Sequence, residues 1–399
     1  MTRRRALYGQ GYRQPVSEEY CDMKVLICSV TAGEGHNSTA RAVRDRFGEM
    51  GIACDILDTY KYVSPAIAKL ISEGYLFVSD KAQLMFGAGY RIAEKRHSGG
   101  VSVARLFNSQ FTDEIGEYIR DYNPDAVLFT HPFSGLILDV LKQKKLISVR
   151  TVGILTDFTF HPYWEECRHC DYVVVPSPML LYQARKKGFP DSAVLPLGIP
   201  INEKFAKSMS KSEAKCSLGL NPEVKAVLLM GGSMGHGNLA SVVKKLDALE
   251  APERFQIISV CGNNEDEYEK IEKYKRKARL SVLNLGFVNY VDRLMDAADI
   301  IVTKPGGLTT SESLAKRLPM IIVNPIPGQE ARNTAFLLNN GTAMAASKTS
   351  PVDELVFSLL GEEGKARYNE MLRCIDILRR PNSAADVCGF VAEMCASGT

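Results

Sequence analysis

The chain lacks both a marked excess of charge and a long apolar segment. Its 399 residues carry 49 Lys and Arg against 46 Asp and Glu, a formal net charge of +3. Proteins that bind nucleic acids draw affinity from basic side chains on phosphates, so no nucleic-acid partner is expected. No apolar run approaches the roughly 18 to 20 residues that a membrane-spanning helix needs. Any contact with a membrane is therefore predicted to be peripheral.

The chain also lacks the marks of a secreted protein. Its 10 cysteines are scattered, and a chain of this length does not need a disulfide framework. Its first residues do not combine the basic, apolar and small-residue regions of a signal peptide. We therefore expect a reduced, cytoplasmic setting.

One local pattern occurs twice, about 200 residues apart. A continuous apolar run leads into a glycine-rich loop, and a helical pattern follows the loop. Alternating strand and helix patterns then continue in both halves, which predicts an α/β fold with two Rossmann-like, doubly wound domains. The two units comprise strand 24–30, loop 31–36 and helix 37–50, and strand 225–230, loop 231–237 and helix 238–249.

Changes in composition predict the domain boundaries. Pro196, Gly198 and Pro200 precede a polar stretch, which indicates a linker, and the last helical pattern is amphipathic. The predicted division is a flexible extension over 1–22, an N-terminal domain over 23–200, a linker over 201–222, a C-terminal domain over 223–380 and a helix over 381–399 that packs back across the domains.

The loops that follow strands are the candidate binding sites, because ligands of doubly wound sheets bind beyond the carboxyl ends of the strands. In loop 303–312 a Pro-Gly-Gly turn opens a helix whose free N–H groups suit a diphosphate, and Glu312 lies one turn in, within reach of a ribose. The structural alternative is a tight turn before a capped helix. Loop 327–333 offers Gln329, Glu330 and Asn333, the side-chain types that bind sugar hydroxyls.

Histidine is the usual general base near neutral pH. His36 lies at a strand-to-helix turn facing the predicted site. From this position, a structural role and a catalytic role are about equally expected. His131 and His161 also follow strand ends, and Asp157 follows strand 151–155 as a possible second carboxylate.

Other catalytic classes fit the motifs poorly. Neither glycine loop matches G-x-G-x-x-G or continues as G-K-[ST], which disfavours dinucleotide oxidoreductases and P-loop NTPases. Cys167 and Cys170 form a C-x-x-C near His161 and His169, but no second pair stands at a suitable distance for zinc. No D-x-D occurs, which disfavours a glycosyltransferase that holds a metal by that motif.

A hydrolase is disfavoured for a different reason. Ser233 lies in a G-x-S-x-G sequence between a strand and a helix, as in the α/β-hydrolase elbow. That fold needs a histidine well after the serine, and the only later histidine is His236, in the same turn.

A long helical insert lies between Asp58 and Asn123. Its mixture of aromatic and basic residues fits an anionic membrane surface, but periodicity alone favours an ordinary amphipathic helix pair over the sheet. The candidate membrane residues are Tyr75, Phe77, Phe86, Arg91, Lys95 and Arg96.

An ordered set of motifs resembles glycosyltransferase family 28, in its monogalactosyldiacylglycerol synthase and processive diacylglycerol glucosyltransferase branch. The resemblance covers about residues 23 to 380. Each motif alone is moderately specific, and the ordered set is strongly so. The motifs are Gly33-Glu-Gly-His36-Asn-Ser-Thr-Ala40, Thr156-Asp-Phe158, His161-Pro-Tyr-Trp164, Gly231-Gly-Ser233, Gly286-Phe-Val288, Lys304-Pro-Gly-Gly307 and Gly328-Gln-Glu-Ala-Arg-Asn333.

The resemblance implies the GT-B fold, two Rossmann-like doubly wound domains facing a cleft, with the nucleotide sugar held by the C-terminal one. His36 stands where the family has its candidate base, and Asp157 would orient it or share the role; the sequence leaves this open. The implied donor-binding residues are Gly232, Ser233, Phe287, Val288, Gly306, Gly307, Leu308, Thr309, Glu312, Gln329, Glu330 and Asn333.

The implied activity is an inverting, metal-independent transfer of glucose or galactose from a UDP-sugar to diacylglycerol, which forms a β-glycosyl diacylglycerol. UDP-glucose or UDP-galactose would be a co-substrate, and no cofactor is expected. The enzyme would act from the cytoplasm as a peripheral protein on the anionic inner face of the cell membrane. The insert, together with His131 and His161, would then be the acceptor and membrane region. This implication replaces the ordinary amphipathic helix pair that periodicity alone favours.

Alternatives remain at this point. One is a GT-B transferase with a polyprenyl-linked or soluble acceptor. Others are a UDP-sugar epimerase and a non-catalytic UDP-sugar sensor.

Overall fold

The computed structural model describes residues 22–31, 34–66, 68–69, 102–232, 238–249 and 254–397. The chain divides into two compact units. The first unit comprises the chain up to Glu203 together with the segment from Asn382 onward. The second unit is Lys204–Pro381. Within the described residues, no helix is both long and apolar enough to cross a bilayer.

The first unit is built on a parallel six-stranded sheet. Its strands are β1 (Lys24–Ser29), β2 (Ala53–Asp58), β3 (Ala126–Phe129), β4 (Arg150–Ile154), β5 (Tyr172–Val174) and β6 (Val194–Leu195). Its helices are α1 (Glu34–Glu49), α2 (Thr59–Val63), α3 (Val103–Asn108), α4 (Thr112–Tyr122), α5 (Pro132–Gln143), α6 (Leu181–Lys186) and the C-terminal α15 (Ser383–Ala396). Short 3-10 helices include Pro162–Cys167 and Pro178–Leu180.

The strand order β2-β1-β3-β4-β5-β6 creates a switch point between β1 and β3. The chain leaves β1 to one side to form β2 and returns to the other side as β3. Loops from adjacent strands diverge at such a point, and ligands of open α/β sheets bind there. His36, in the first turn of the helix after β1, and His131, just after β3, lie at this point.

Helix α15 completes the core of the first unit. Val387 and Val391 are fully buried in one cluster with Val43 and Phe47 of α1 and with side chains of β1 and β3. The Ser383 hydroxyl donates to the Ile199 carbonyl at 2.8 Å. The helix that the sequence places across the domains therefore belongs to the first unit.

The second unit repeats the architecture with a second parallel six-stranded sheet, in the order β12-β11-β10-β7-β8-β9. Its switch point lies between β7 and β10. Its strands are β7 (Lys225–Met230), β8 (Phe255–Val260), β9 (Val282–Leu285), β10 (Ile300–Thr303), β11 (Met320–Ile322) and β12 (Ala343–Ala345). Its helices are α7 (Lys211–Ser217), α8 (Leu239–Asp247), α9 (Glu265–Lys275), α10 (Val291–Ala297), α11 (Gly307–Ala315), α12 (Gln329–Asn339), α13 (Val352–Leu360) and α14 (Lys365–Leu378).

The stretch that the sequence assigns to a linker, 201–222, contains helix α7. Ser210 and Glu213 form a reciprocal capping box at its start. Asp299 accepts hydrogen bonds from Lys211 at 2.7 Å and from the Ala226 N–H at 2.8 Å. These contacts fix α7 to the beginning of the sheet in the second unit.

Candidate active site

His36 lies in the first turn of α1, directly beyond the carboxyl end of β1. Its Nδ1 is 2.7 Å from the Thr130 carbonyl oxygen and 3.1 Å from the Thr156 hydroxyl. Because a carbonyl oxygen can only accept, we assign the ring hydrogen to Nδ1, which leaves Nε2 without one in the neutral ring. Burial lowers the pKa of His36 to about 4, although the Thr130 carbonyl opposes the shift. At neutral pH, Nε2 can therefore accept a proton.

Hydrogen bonds across the switch point hold the loops that surround His36. The Ser29 hydroxyl at the end of β1 is 3.0 Å from the Thr130 hydroxyl at the end of β3. It also lies 3.1 Å from Oδ1 of Asn37, the residue after His36. The ends of β1 and β3 and the start of α1 are thus tied together, and this fixes the position from which His36 projects.

His131 and His161 occupy two equivalent turns. Each is the N-cap of a helix, is followed by proline, and accepts through Nδ1 from the N–H two residues on, at 3.1 Å from Phe133 and 3.3 Å from Tyr163. The rings of Phe133 and Tyr163 pack against each other with centroids 5.6 Å apart. Two His-Pro-aromatic turns therefore stand side by side at the edge of the sheet.

These turns place three uncharged imidazoles together. The rings of His36 and His131 meet edge to face with centroids 4.6 Å apart. Burial, followed by the charges that His36 and His161 would carry, holds the pKa of His131 well below its usual range. Burial also lowers the pKa of His161 to about 3, with smaller effects from His36 and Lys187.

Asp157, the other predicted catalytic residue, follows Thr156 in the loop after β4 and is half-buried. The structure therefore brings the loop of Asp157 to the ring of His36 through Thr156. Thr130 and Thr156 were not among the residues predicted from the sequence. Their signals were a position directly after a buried strand and, for Thr156, its place in the Thr156-Asp-Phe158 motif.

The predicted sugar-binding residues of the second unit join the two loops after β10 and β11. Glu330 pairs with Lys304 at 3.2 Å and accepts from the Ile326 N–H at 2.7 Å. Asn333 is fully buried, and its side-chain amide donates to the Pro305 carbonyl at 2.9 Å. These contacts brace the loops. Gln329 begins α12 directly after Gly328, whose φ of 103° favours glycine.

Helix α11 begins at Gly307, next to the predicted diphosphate site, with Leu308 and Thr309 half-buried in its first turn. Further along, burial raises the pKa of Glu312 to about 8; Lys204 opposes this shift and Asp292 adds to it. Glu312 is consequently a neutral carboxyl at pH 7. In that form it can donate a hydrogen bond as well as accept one.

The remaining predicted donor residues lie at the carboxyl edge of the second sheet. Phe287 follows β9 with 67% of its surface exposed, and Val288 beside it is half-buried. Open space surrounds the positions where Gly232 and Gly306 would carry a side chain, so a ligand can approach their backbone. Ser233 lies outside the described residues.

The predicted membrane residues also lie outside the described residues: Tyr75, Phe77, Phe86, Arg91, Lys95 and Arg96. Among the residues that the structure does describe, no three His, Cys, Asp or Glu side chains are grouped to bind a metal. Burial keeps the pKa values of Cys167 and Cys170 well above normal, so both are protonated thiols.

Family models match both units. Residues 36–201 match the model for monogalactosyldiacylglycerol synthase, and residues 226–372 match the glycosyltransferase family 28 C-terminal domain. A processive diacylglycerol beta-glucosyltransferase of Bacillus licheniformis is 28% identical over 377 residues, which cover 92% of this chain and 94% of the relative. The protein of the same description from Bacillus subtilis is 26% identical over 85% of this chain and 87% of its own length.

Solved structures show the same fold. MurG of Acinetobacter baumannii superposes with a TM-score of 0.64 at 17% identity, covering 93% of this chain and all of that one. A UDP-glucosyltransferase from Polygonum tinctorium superposes with a TM-score of 0.57 at 13% identity, over 93% of this chain and 99% of its own. The fold is thus GT-B, in which one chain forms two Rossmann-like domains.

Proposed function

Because the chain belongs to glycosyltransferase family 28, with a first domain of the monogalactosyldiacylglycerol synthase type, we propose that it glycosylates diacylglycerol. A hexosyl group would pass from a UDP-sugar to the lipid hydroxyl, with inversion at the anomeric carbon. The observation that carries the proposal is the state of His36: a neutral imidazole whose Nδ1 is bonded to the Thr130 carbonyl and whose Nε2 can take a proton.

The chemistry follows from that state. The acceptor hydroxyl gives its proton to Nε2 of His36 as its oxygen attacks C1 of the sugar. The bond from C1 to the diphosphate breaks, and UDP leaves with the electron pair from the opposite face. Because the acceptor oxygen attacks the face of C1 opposite the departing diphosphate, an α-linked donor becomes a β-glycoside. The Thr130 carbonyl accepts from Nδ1–H throughout, and it stabilises the imidazolium that forms.

We assign the donor to the second unit. The N-terminus of α11 would face the diphosphate, where its free N–H groups meet the charge that builds on the leaving group. Phe287 would pack on the uracil, and Glu312 would bind the ribose. Gln329, Glu330 and Asn333 would form or support the sugar site. In this assignment the helix N-terminus serves the diphosphate without a metal.

Two properties of the relatives direct the choice of substrates. The Bacillus proteins are described as glucosyltransferases of diacylglycerol, whereas the matching family model is named for a galactosyl product. We therefore propose UDP-glucose as the preferred donor and UDP-galactose as the alternative donor. The acceptor would be met at the cytoplasmic face of an anionic membrane, to which the protein binds peripherally.

Release of UDP from purified protein tests this proposal. Vesicles with and without diacylglycerol are mixed with UDP-glucose or UDP-galactose in the presence of EDTA, and His36→Ala serves as the inactive control. Release that requires the lipid and yields a β-glycosyl diacylglycerol supports the proposal. Release that is abolished by EDTA overturns metal independence. Binding of UDP without release, or a changed sugar without acceptor, would instead favour a sensor or an epimerase.

A further inference from the structure

We propose that His131 is a positioning residue for His36. Its cap on α5 fixes the Thr130 carbonyl, and its ring packs on His36, so that His36 is held with hydrogen on Nδ1 and Nε2 bare. This inference rests on the proposed role of His36 as the base. It assigns to His131 a function in preparing the base, in place of contact with the lipid.

The first step in the argument is the backbone. The carbonyl that accepts from His36 belongs to the peptide group joining Thr130 to His131, and a peptide group is planar. Its direction therefore depends on the backbone angles of these two residues. His131 is held at φ −126° and ψ 136° by its cap on Phe133 N, and Pro132, the next residue in the chain, restricts the backbone of His131 to this extended region. Loss of the cap would free the carbonyl to turn away from His36.

The second step is the hydrogen on His131. Its Nδ1 accepts from the Phe133 N–H, so in the neutral ring the hydrogen is on Nε2. If the ring were protonated, its Nδ1–H would face the Phe133 N–H. Two donors cannot form a hydrogen bond with each other, so the cap would be lost. His131 thus stays uncharged, with its ring centroid 4.6 Å from that of His36. A cation at that distance would oppose the imidazolium that His36 must form.

Other ionisable groups near this pair come from different elements. His161 caps the 3-10 helix Pro162–Cys167, and the charge of Lys187 acts on it. Asp157 follows β4 beside Thr156, which contacts His36. A test must therefore follow His36 itself, because a change in activity alone would not distinguish between these groups.

Two substitutions separate the cap from the ring. His131→Asn retains an acceptor suited to an N-cap but removes the ring, whereas His131→Phe retains a ring but removes the cap. Ser177→Ala is the matched control. Ser177 also caps a helix that begins with proline, accepting from the Met179 N–H at 3.3 Å, yet it has no ring to pack on His36.

The measurement is the tautomer and pKa of His36, by nitrogen-15 NMR of the imidazole, together with the pH profile of kcat/KM. We expect His131→Phe to populate the Nε2–H form of His36 and to lower kcat by about tenfold or more, with KM for the UDP-sugar little changed. We expect His131→Asn to keep the Nδ1–H form but to raise the pKa of His36, moving the acid limb of the profile upward. Ser177→Ala should change neither.

The inference is overturned if both His131 variants leave the tautomer and pKa of His36 as in the native protein, or if Ser177→Ala changes them equally. Should His131→Phe fail to fold, His131→Asn decides alone through the pKa of His36. The NMR result does not need turnover. A shift in a protein that glycosylates no lipid would therefore reject the proposed function and keep the positioning role.

Discussion

His36 and His131 meet edge to face, yet their hydrogen bonds place the ring hydrogens on opposite nitrogens. His36 donates through Nδ1 to a carbonyl, whereas His131 accepts through Nδ1 from an N–H. Two identical side chains are thus prepared for opposite roles by the backbone groups beside them. One offers a bare Nε2, and the other carries hydrogen there.

Replacing His36, the proposed base, should slow transfer strongly without affecting donor binding. We expect His36→Ala to lower kcat by about 10²- to 10⁴-fold, the range for loss of a positioned general base. Because His36 lies in the first unit and the donor is assigned to the second, the Kd for UDP should stay within about twofold. Calorimetry of UDP binding beside the release assay checks both. An equal loss of binding and turnover would argue against a base.

Asp157→Asn provides the comparison for the base. If Asp157 only orients the site, the variant should retain a reduced kcat whose pH profile still follows His36. A greater loss than in His36→Ala would assign the proton transfer to Asp157.

The lowered pKa values of the three site histidines lead us to expect that the fold is less stable in mild acid. The pKa values of His36 and His161 fall to about 4 and 3, and that of His131 lies well below normal, while unfolded histidine titrates near 6.5. The unfolded chain therefore binds more protons below about pH 6.5, and the free energy of unfolding declines as pH falls toward 4. The slope is at most about 1.4 kcal/mol per pH unit for each histidine, and less for the half-buried His36 and His161.

Urea unfolding between pH 7.5 and 4.5 measures this slope. The His131→Asn variant carries one neutral histidine fewer and should show a shallower decline. An unchanged slope in the variant would mean that His131 does not stay neutral in the folded protein. Above pH 7 the native protein and the variant should have parallel stability curves.

The raised pKa of the Glu312 carboxyl leads us to expect that donor binding releases a proton. Its carboxyl is neutral at pH 7, because burial raises its pKa to about 8. If it binds the ribose hydroxyls as a carboxylate, complex formation at pH 7 should release up to about one proton. Calorimetry of UDP binding in buffers with different ionisation enthalpies measures that number. Glu312→Gln should release none.

A second variant tests the cause of that release. Asp292 adds to the raised pKa of Glu312. Asp292→Asn should therefore lower that pKa and reduce the number of protons released at pH 7. Release that is the same in all three proteins would place its source elsewhere.

We expect Asn333→Ala to lower the affinity for the donor by a factor that does not depend on the sugar. The residue is fully buried, and its amide holds the Pro305 carbonyl next to Gly306 and Gly307. Asn333→Ala leaves that carbonyl unpaired, which costs about 1–3 kcal/mol of stability. If Asn333 braces the loop, affinity for UDP and for UDP-glucose should fall by the same factor. A loss confined to UDP-glucose would indicate direct contact with the sugar.

The sequence predicted most of the fold because the central strands are continuous apolar runs. Strand β7 was predicted over 225–230, and it has those bounds in the structure and is buried at all but its first residue. Strands β2 and β12 were missed for identifiable reasons. Strand β2 lies at the sheet edge and only Leu57 among its six residues is buried, and β12 has only three residues. Neither carries a strong local signal without its neighbour.

The candidate site was predictable in position but not in its chemistry. Its residues follow strand ends, which the sequence reveals. The hydrogen on His36 depends on the Thr130 carbonyl, 94 positions away along the chain. The equivalence of His131 and His161 depends on two caps that appear only when both turns are formed. Such relationships follow from backbone direction, which composition and spacing do not encode.

Helix α15 gives the first unit an unusual order of assembly. Val387 and Val391 fill the same core as α1, β1 and β3, yet all of the second unit is translated before them. At roughly 5 to 20 residues per second, the ribosome needs on the order of ten seconds or more to pass that unit. During this time the sheet of the first unit exposes an apolar face, while residues 204–381 are being made and can fold. The unit that begins the chain is therefore the last to close, and a nascent chain without α15 would offer its unfinished core to chaperones.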